Sequence, residues 1–82
     1  MFTVYVLFSK DYSKIYIGFT SDLQQRLISH NELGKKGWTI KFRPWQLIYK
    51  EEYQLKVDAI KREKELKTAT GRKFIWSMIH AM

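Results

Sequence analysis

Four polar side chains stand at positions where the local pattern calls for an inward-facing residue. Between Lys14 and His30 the chain reads KIYIGFTSDLQQRLISH, a strand from Lys14 to Thr20 that turns at Thr20–Ser21 into an amphipathic helix. Leu23 and Leu27, four residues apart, form the stripe that seats this helix on a sheet. At about 100° per residue, His30 projects about 20° from Leu23, and Arg26 about 60° away on the same side. Tyr16, Arg26 and His30 can therefore meet where the strand faces the helix. A second helix, from about Leu55 to Lys67, carries Leu55, Ala59 and Leu66 as its apolar stripe. Glu63 lies about 40° from Ala59, within that stripe, whereas Glu65 points to the opposite, lysine-rich side. Each of these groups costs free energy to desolvate unless it is partnered, and a carboxylate so placed needs a cation, a metal or a donor. An arginine can hold an anion, a histidine can move a proton near neutrality, and a carboxylate can hold a hard cation. A structural reading is equally available: Tyr16 as core, Arg26 snorkelling, His30 bonding locally. For the first three residues taken alone, it is the more economical one.

The elements that must position these groups follow in order. Phe2 to Phe8 is a strand, with Phe2, Val4, Val6 and Phe8 on one face and Thr3, Tyr5 and Leu7 on the other. Both faces are largely apolar, which suits an interior strand. Residues 9–13 form a turn, so this strand and the one through Ile15, Tyr16 and Ile17 make a hairpin. Gly18 inside the second strand implies a bend or a close backbone approach. Ser21 with Gln24 fits a capping box at the start of the first helix, and Gly34 suits its end. The next segment, KKGWTIKFR, interleaves Lys35, Lys36, Lys41 and Arg43 with Trp38 and Phe42, a pattern that can sit against phosphates and stack on bases. For Trp38 itself, an ordinary surface loop with the indole tucked into the core edge is the slightly favoured reading. Trp45 to Tyr53 reads as a third strand, and Arg72 to His80 as a last helix burying Phe74, Ile75, Met78 and Ile79. The order β-β-α-β-α-α predicts an α+β domain, a small three-stranded antiparallel sheet flanked by helices.

Size and charge narrow the classes. The 82 residues make a single domain, 1–82, and contain no cysteine, so neither a disulfide framework nor a thiolate zinc site is expected. No apolar run approaches the ~18 residues of a membrane span, and the strand-like start does not read as a secretory signal. A cytoplasmic protein with no membrane partner is expected. The net charge of +7 is asymmetric: residues 1–34 hold three basic and three acidic side chains, residues 35–82 hold 12 and five. Such a surplus is the footprint of a polyanion, nucleic acid first.

Thr3–Val4–Tyr5, ten residues, then Tyr16–Ile17–Gly18 resembles the paired motif of the GIY-YIG nucleases. Arg26 and His30 fall at the spacings after the second tripeptide where that family carries an arginine and a histidine or tyrosine, and Glu63 in AIKREKELK matches its metal-binding glutamate. The likeness spans nearly the whole chain and is closest to small stand-alone bacterial members. TVY lacks the family's glycine and isoleucine but keeps its tyrosine, and no asparagine follows the glutamate helix. The resemblance implies a GIY-YIG fold and a Mg²⁺-dependent (or Mn²⁺-dependent) endonuclease that makes single-strand cuts in DNA, branched or damaged DNA included, as in repair or recombination. It implies Tyr5, Tyr16, Arg26, His30 and Glu63 as catalytic residues, with Glu63 on the metal, Arg26 on the scissile phosphate, and Tyr5 or Tyr16 as general base. A binding module that keeps the fold without turnover is the alternative, and an RNA-directed nuclease a weaker one. A domain this small takes its selectivity from its own loops or from a protein partner.

Overall fold

The computed structural model describes residues 1–33 and 37–82. The strands are β1 (Phe2–Ser9), β2 (Lys14–Thr20) and β3 (Gln46–Tyr53), and the helices are α1 (Leu23–Ile28), α2 (Lys56–Leu66) and α3 (Ala69–His80). A π-helical turn, Ser29–Leu33, extends α1, and a 3₁₀ turn, Trp38–Phe42, precedes β3. The sheet is antiparallel in the order β2-β1-β3, so β1 is its interior strand, as its two apolar faces require.

The two faces of β1 seed separate cores. Val4 and Val6 join Ile15 and Ile17 of β2 beneath Ala59 and Leu66 of α2 and Ile75 and Ile79 of α3. On the opposite face, Tyr5 and Leu7 pack with Trp45, against Leu23 and Leu27 of α1 and Phe42. β3 slips by one residue between the partners of Val6 and Leu7, Tyr49 and Leu47, so Ile48 is the extra residue of a bulge. Beyond the bulge, Tyr49, Glu51 and Tyr53 share the face that α2 covers. The corner between α2 and α3 is tight: a Cβ on Gly71 would lie 2.3 Å from the Glu65 carbonyl oxygen.

Four local expectations are corrected. α1 is capped by Asp22, whose carboxylate accepts from the Gln25 amide, not by Ser21 with Gln24. The Asp22 amide donates to the Thr20 hydroxyl, and this turn carries the chain one residue further before the helix starts. α1 then gives way to the π-helical turn rather than running on as α-helix, and Gly34 lies outside the described residues. Leu55 is the residue before α2 and is 61% exposed, so the stripe of that helix begins at Ala59. α3 starts at Ala69, where the Thr68 hydroxyl caps the Gly71 amide, and Phe74 is largely exposed, its ring resting edge-on against Tyr49.

Candidate active site

Tyr5 anchors the site from the middle of β1, opposite Gly18 on β2. Its phenol lies across that glycine: a Cβ at position 18 would come within 2.8 Å of the Tyr5 oxygen and 3.1 Å of the Tyr16 ring. The absence of a side chain at Gly18 is thus what allows the two tyrosines to share one face, with ring centroids 6.1 Å apart. The π-helical turn delivers His30 to the same place. Its ring is buried, its centroid is 4.7 Å from that of Tyr16, and its Nε2 is 3.1 Å from the Tyr5 oxygen. Nδ1 meets the Thr39 hydroxyl at 3.2 Å, so both ring nitrogens are bonded.

The turn carrying His30 is held from two sides. The Arg43 guanidinium donates through Nε to the His30 carbonyl and through Nη2 to the Ser29 carbonyl, groups a helix end leaves unpaired. Asn31 exchanges hydrogen bonds with the Trp45 backbone, donating to its carbonyl and accepting from its amide. The Trp45 indole N–H donates to the Thr39 carbonyl, which ties down the residue that in turn orients His30.

The titrating groups diverge in a way that follows from this packing. Burial above all, and next the neighbouring Tyr16, push the Tyr5 phenol well above its ordinary pKa, with Glu63 adding to the effect and Arg26 opposing it. Burial also pushes His30 down, helped by the positive charges of Arg26 and Arg43, so the imidazole is neutral at neutral pH. Arg26 itself is exposed on α1, and among the described residues its guanidinium makes no hydrogen bond or ion pair. It lines a hollow of about 250 Å³ beside Thr20 and Ser29.

Glu63 projects from the core-facing side of α2, its side chain only 16% exposed and 3.2 Å from the Lys67 ammonium. Its charge makes a minor contribution to the raised pKa of Tyr5, although α2 packs on the opposite face of the sheet. Glu65, by contrast, is exposed and pairs with Arg62. Among the described residues no three His, Cys, Asp or Glu side chains cluster. A lone, half-shielded carboxylate suits Mg²⁺, which keeps most of its waters and needs one or two protein oxygens; it does not suit a zinc site of three or four nitrogen or sulfur ligands.

The basic segment divides. Lys41 is exposed on the 3₁₀ turn, Arg43 faces the π-helical turn, and Lys35 and Lys36 lie outside the described residues. Sequence reasoning missed Asn31, Thr39 and the role of Arg43, none of which belongs to a periodic pattern. It also missed Glu51, which accepts from Tyr49 and Tyr53 hydroxyls and receives a forked bond from Arg62 at 3.0–3.2 Å. Burial alone would raise the Glu51 pKa, but the Arg62, Tyr49 and Tyr53 bonds outweigh it and hold the carboxyl below its usual range. The alternation of strand β3 places Glu51 two residues from each tyrosine, a signal that was available.

A family model described as the GIY-YIG catalytic domain matches residues 1–75. A UPF0213 protein of Staphylococcus saprophyticus is 39% identical over 70 residues, covering 85% of this chain and 84% of its own. Another, of Staphylococcus epidermidis, is 40% identical over 67 residues, covering 82% and 80%. A third, of Staphylococcus aureus, is 39% identical over 70 residues, again covering 85% and 84%. No solved structure gives a significant match.

Proposed function

Because the chain belongs to the GIY-YIG catalytic-domain family, we propose that it is a divalent-metal-dependent endonuclease making single-strand cuts in DNA. The observation that carries this reading is the convergence of Tyr5, Tyr16 and His30 on one side of the sheet, beside an Arg26 that has no hydrogen bond or ion pair among the described residues.

Phosphodiester hydrolysis needs an activated water, neutralisation of phosphate charge and help for the leaving oxygen. Arg26 serves the second need: its planar fork matches two phosphate oxygens, and among the described residues it has no partner to give up. The base is Tyr16. Tyr5 is sealed at 1% exposure with its pKa raised, which makes it a poor proton acceptor and a persistent donor. Tyr16 is half-buried and open to the adjoining cleft. Tyr5 then stabilises charge developing on the Tyr16 oxygen, and neutral His30 holds the Tyr5 hydroxyl in place through Nε2. Glu63 would hold the Mg²⁺ or Mn²⁺ ion, which when bound supplies positive charge to the phosphate and acidity to a coordinated water. Lys67, 3.2 Å away, holds the carboxylate in place until a cation competes for it.

The test is nicking of supercoiled plasmid, branched DNA and RNA across a Mg²⁺ and Mn²⁺ titration. Wild type should nick DNA. Glu63→Gln should abolish cleavage with fold and DNA affinity retained, and Tyr16→Phe should lose more activity than Tyr5→Phe. A wild type that cuts no substrate with either ion makes the protein a nucleic-acid-binding module instead. If Tyr5→Phe is the more damaging, the base assignment is reversed.

A further inference from the structure

Adjoining the tyrosine cluster, a cleft of about 480 Å³ runs along the open edge of β2. Lys14, Lys67 and Arg72 line it together with Trp38, Trp76 and Tyr16, and among the described residues no acidic side chain does. The volume falls within the ~300–1,000 Å³ of small-ligand sites. Trp38 packs on Phe42 and Trp45, with centroids 4.8 and 5.6 Å away, yet remains 46% exposed. Trp76 is braced edge-on by Phe8. Both indoles are thus supported from within the fold and present to the cleft a surface that water wets poorly. Arg72 donates through Nε to the Lys67 carbonyl, and among the described residues it has no acidic partner.

We infer that this cleft is a nucleotide subsite, in which a base unstacked from its neighbours rests on Trp38 or Trp76 and its flanking phosphates meet Lys14, Lys67 and Arg72. Lys14 and Arg72 have no acidic partner among the described residues, and together with Lys67, whose ammonium also meets Glu63, they select an anion, while supported indoles select a flat ring; a nucleotide carries both. An acidic peptide would satisfy the cations but leave the indoles without a partner. The cleft also has the right neighbours. Tyr16 belongs to both the cleft and the tyrosine cluster, and Lys67 holds Glu63 at 3.2 Å. A nucleotide seated here therefore sets which phosphate reaches the candidate catalytic groups. The inference rests on the endonuclease reading for its biological use, but not for its binding test.

That test measures fluorescence anisotropy of labelled oligothymidylate, of the same strand annealed to its complement, and of polyglutamate, with metal removed by EDTA. Oligothymidylate should bind more tightly than the duplex and than polyglutamate. Trp38→Ala should weaken strand binding about five- to a hundredfold, the range expected for one stacked base, while Trp38→Phe keeps most of it. Arg72→Gln should lower the slope of log affinity against log salt by about one. Thermal melting confirms that each variant is folded. If the strand binds but neither Trp38→Ala nor Arg72→Gln changes it, or if duplex or polyglutamate binds as well, the inference is overturned and the endonuclease reading stands or falls on cleavage alone. If strand binding depends on both residues while the wild type cuts nothing, the subsite holds and the endonuclease reading fails.

Discussion

Arg26 and Leu27 are neighbours on α1 with opposite exposures to loss. Arg26 is exposed and unbonded among the described residues, whereas Leu27 is half-buried against the Tyr5–Leu7–Trp45 core. Arg26→Ala should therefore reduce cleavage by about a hundredfold or more, the scale of losing one transition-state charge contact, and shift the melting temperature little. Leu27→Ala should do the reverse. Its destabilisation should fall below the ~2–5 kcal/mol of a fully buried leucine, because part of the side chain already faces water. Arg26→Lys separates charge from geometry: a lysine that cleaves like wild type would show that a point charge suffices and the bidentate clamp is wrong. Melting curves with single-turnover rates check all three. If Arg26→Ala instead melts the domain with its specific activity intact, the arginine is structural.

At the scale of elements, the hairpin, the interior place of β1, the close approach at Gly18 and the inward side of α2 were legible, because each rests on a period or a residue type that geometry fixes. Two-residue alternation separated Val4 and Val6 from Tyr5 and Leu7, and the folded chain places those pairs in different cores. The helical wheel found Glu63 but could not foresee the π-helical turn, in which His30 departs from the α-helical projection that placed it near Leu23. Nor could it foresee the tertiary bonds of Asn31 and Arg43, which depend on where the chain returns after the 3₁₀ turn. In the Glu51 network the two tyrosines could be read from the alternation of β3, but the bond to Arg62 is seen only in the fold. It joins β3 to α2 at Arg62, the residue before Glu63, so it fixes the helix that carries the candidate metal ligand. Glu51→Leu leaves Arg62 and two tyrosine hydroxyls without their acceptor. It should lower the unfolding free energy by about 1–3 kcal/mol in urea titration, whereas Glu65→Gln at the exposed pair should stay within about 0.5 kcal/mol. Equal effects from the two would mean the network adds nothing beyond surface charge.

Over the whole molecule, the net charge of +7 should make DNA affinity fall steeply with salt by counterion release, and replacing Lys35, Lys36 and Lys41 together with alanine should flatten that slope. Salt-independent binding would exclude a phosphate-led interface. Proton linkage gives a second global measurement, with different groups acting at each end of the pH scale. The Glu51 carboxyl is held below its ordinary value of 4.5, so the unfolded chain takes up its proton first, and stability is lost as pH falls below that value. His30 acts in the same direction but earlier. Its folded value lies below 6.5, so between 6.5 and that lower value the unfolded state binds one more proton and stability falls with falling pH. At the alkaline end, Tyr5 is raised above 10.0 by burial, and Tyr53 is pushed up to about 12, chiefly by its bond to Glu51. Above pH 10 the unfolded phenols ionise while the folded ones keep their protons, and stability falls as pH rises. The melting temperature should thus be highest between about pH 7 and 10 and decline on both sides. The His30 contribution is separable, because His30→Gln keeps a side chain able to bond Tyr5 but cannot take up a proton near neutrality. That variant should flatten the decline just below pH 6.5 while leaving the alkaline limb unchanged. A decline just below pH 6.5 as steep as in wild type would show that His30 is not the group that titrates there, and that its burial against Tyr5 and Tyr16 does not hold it neutral.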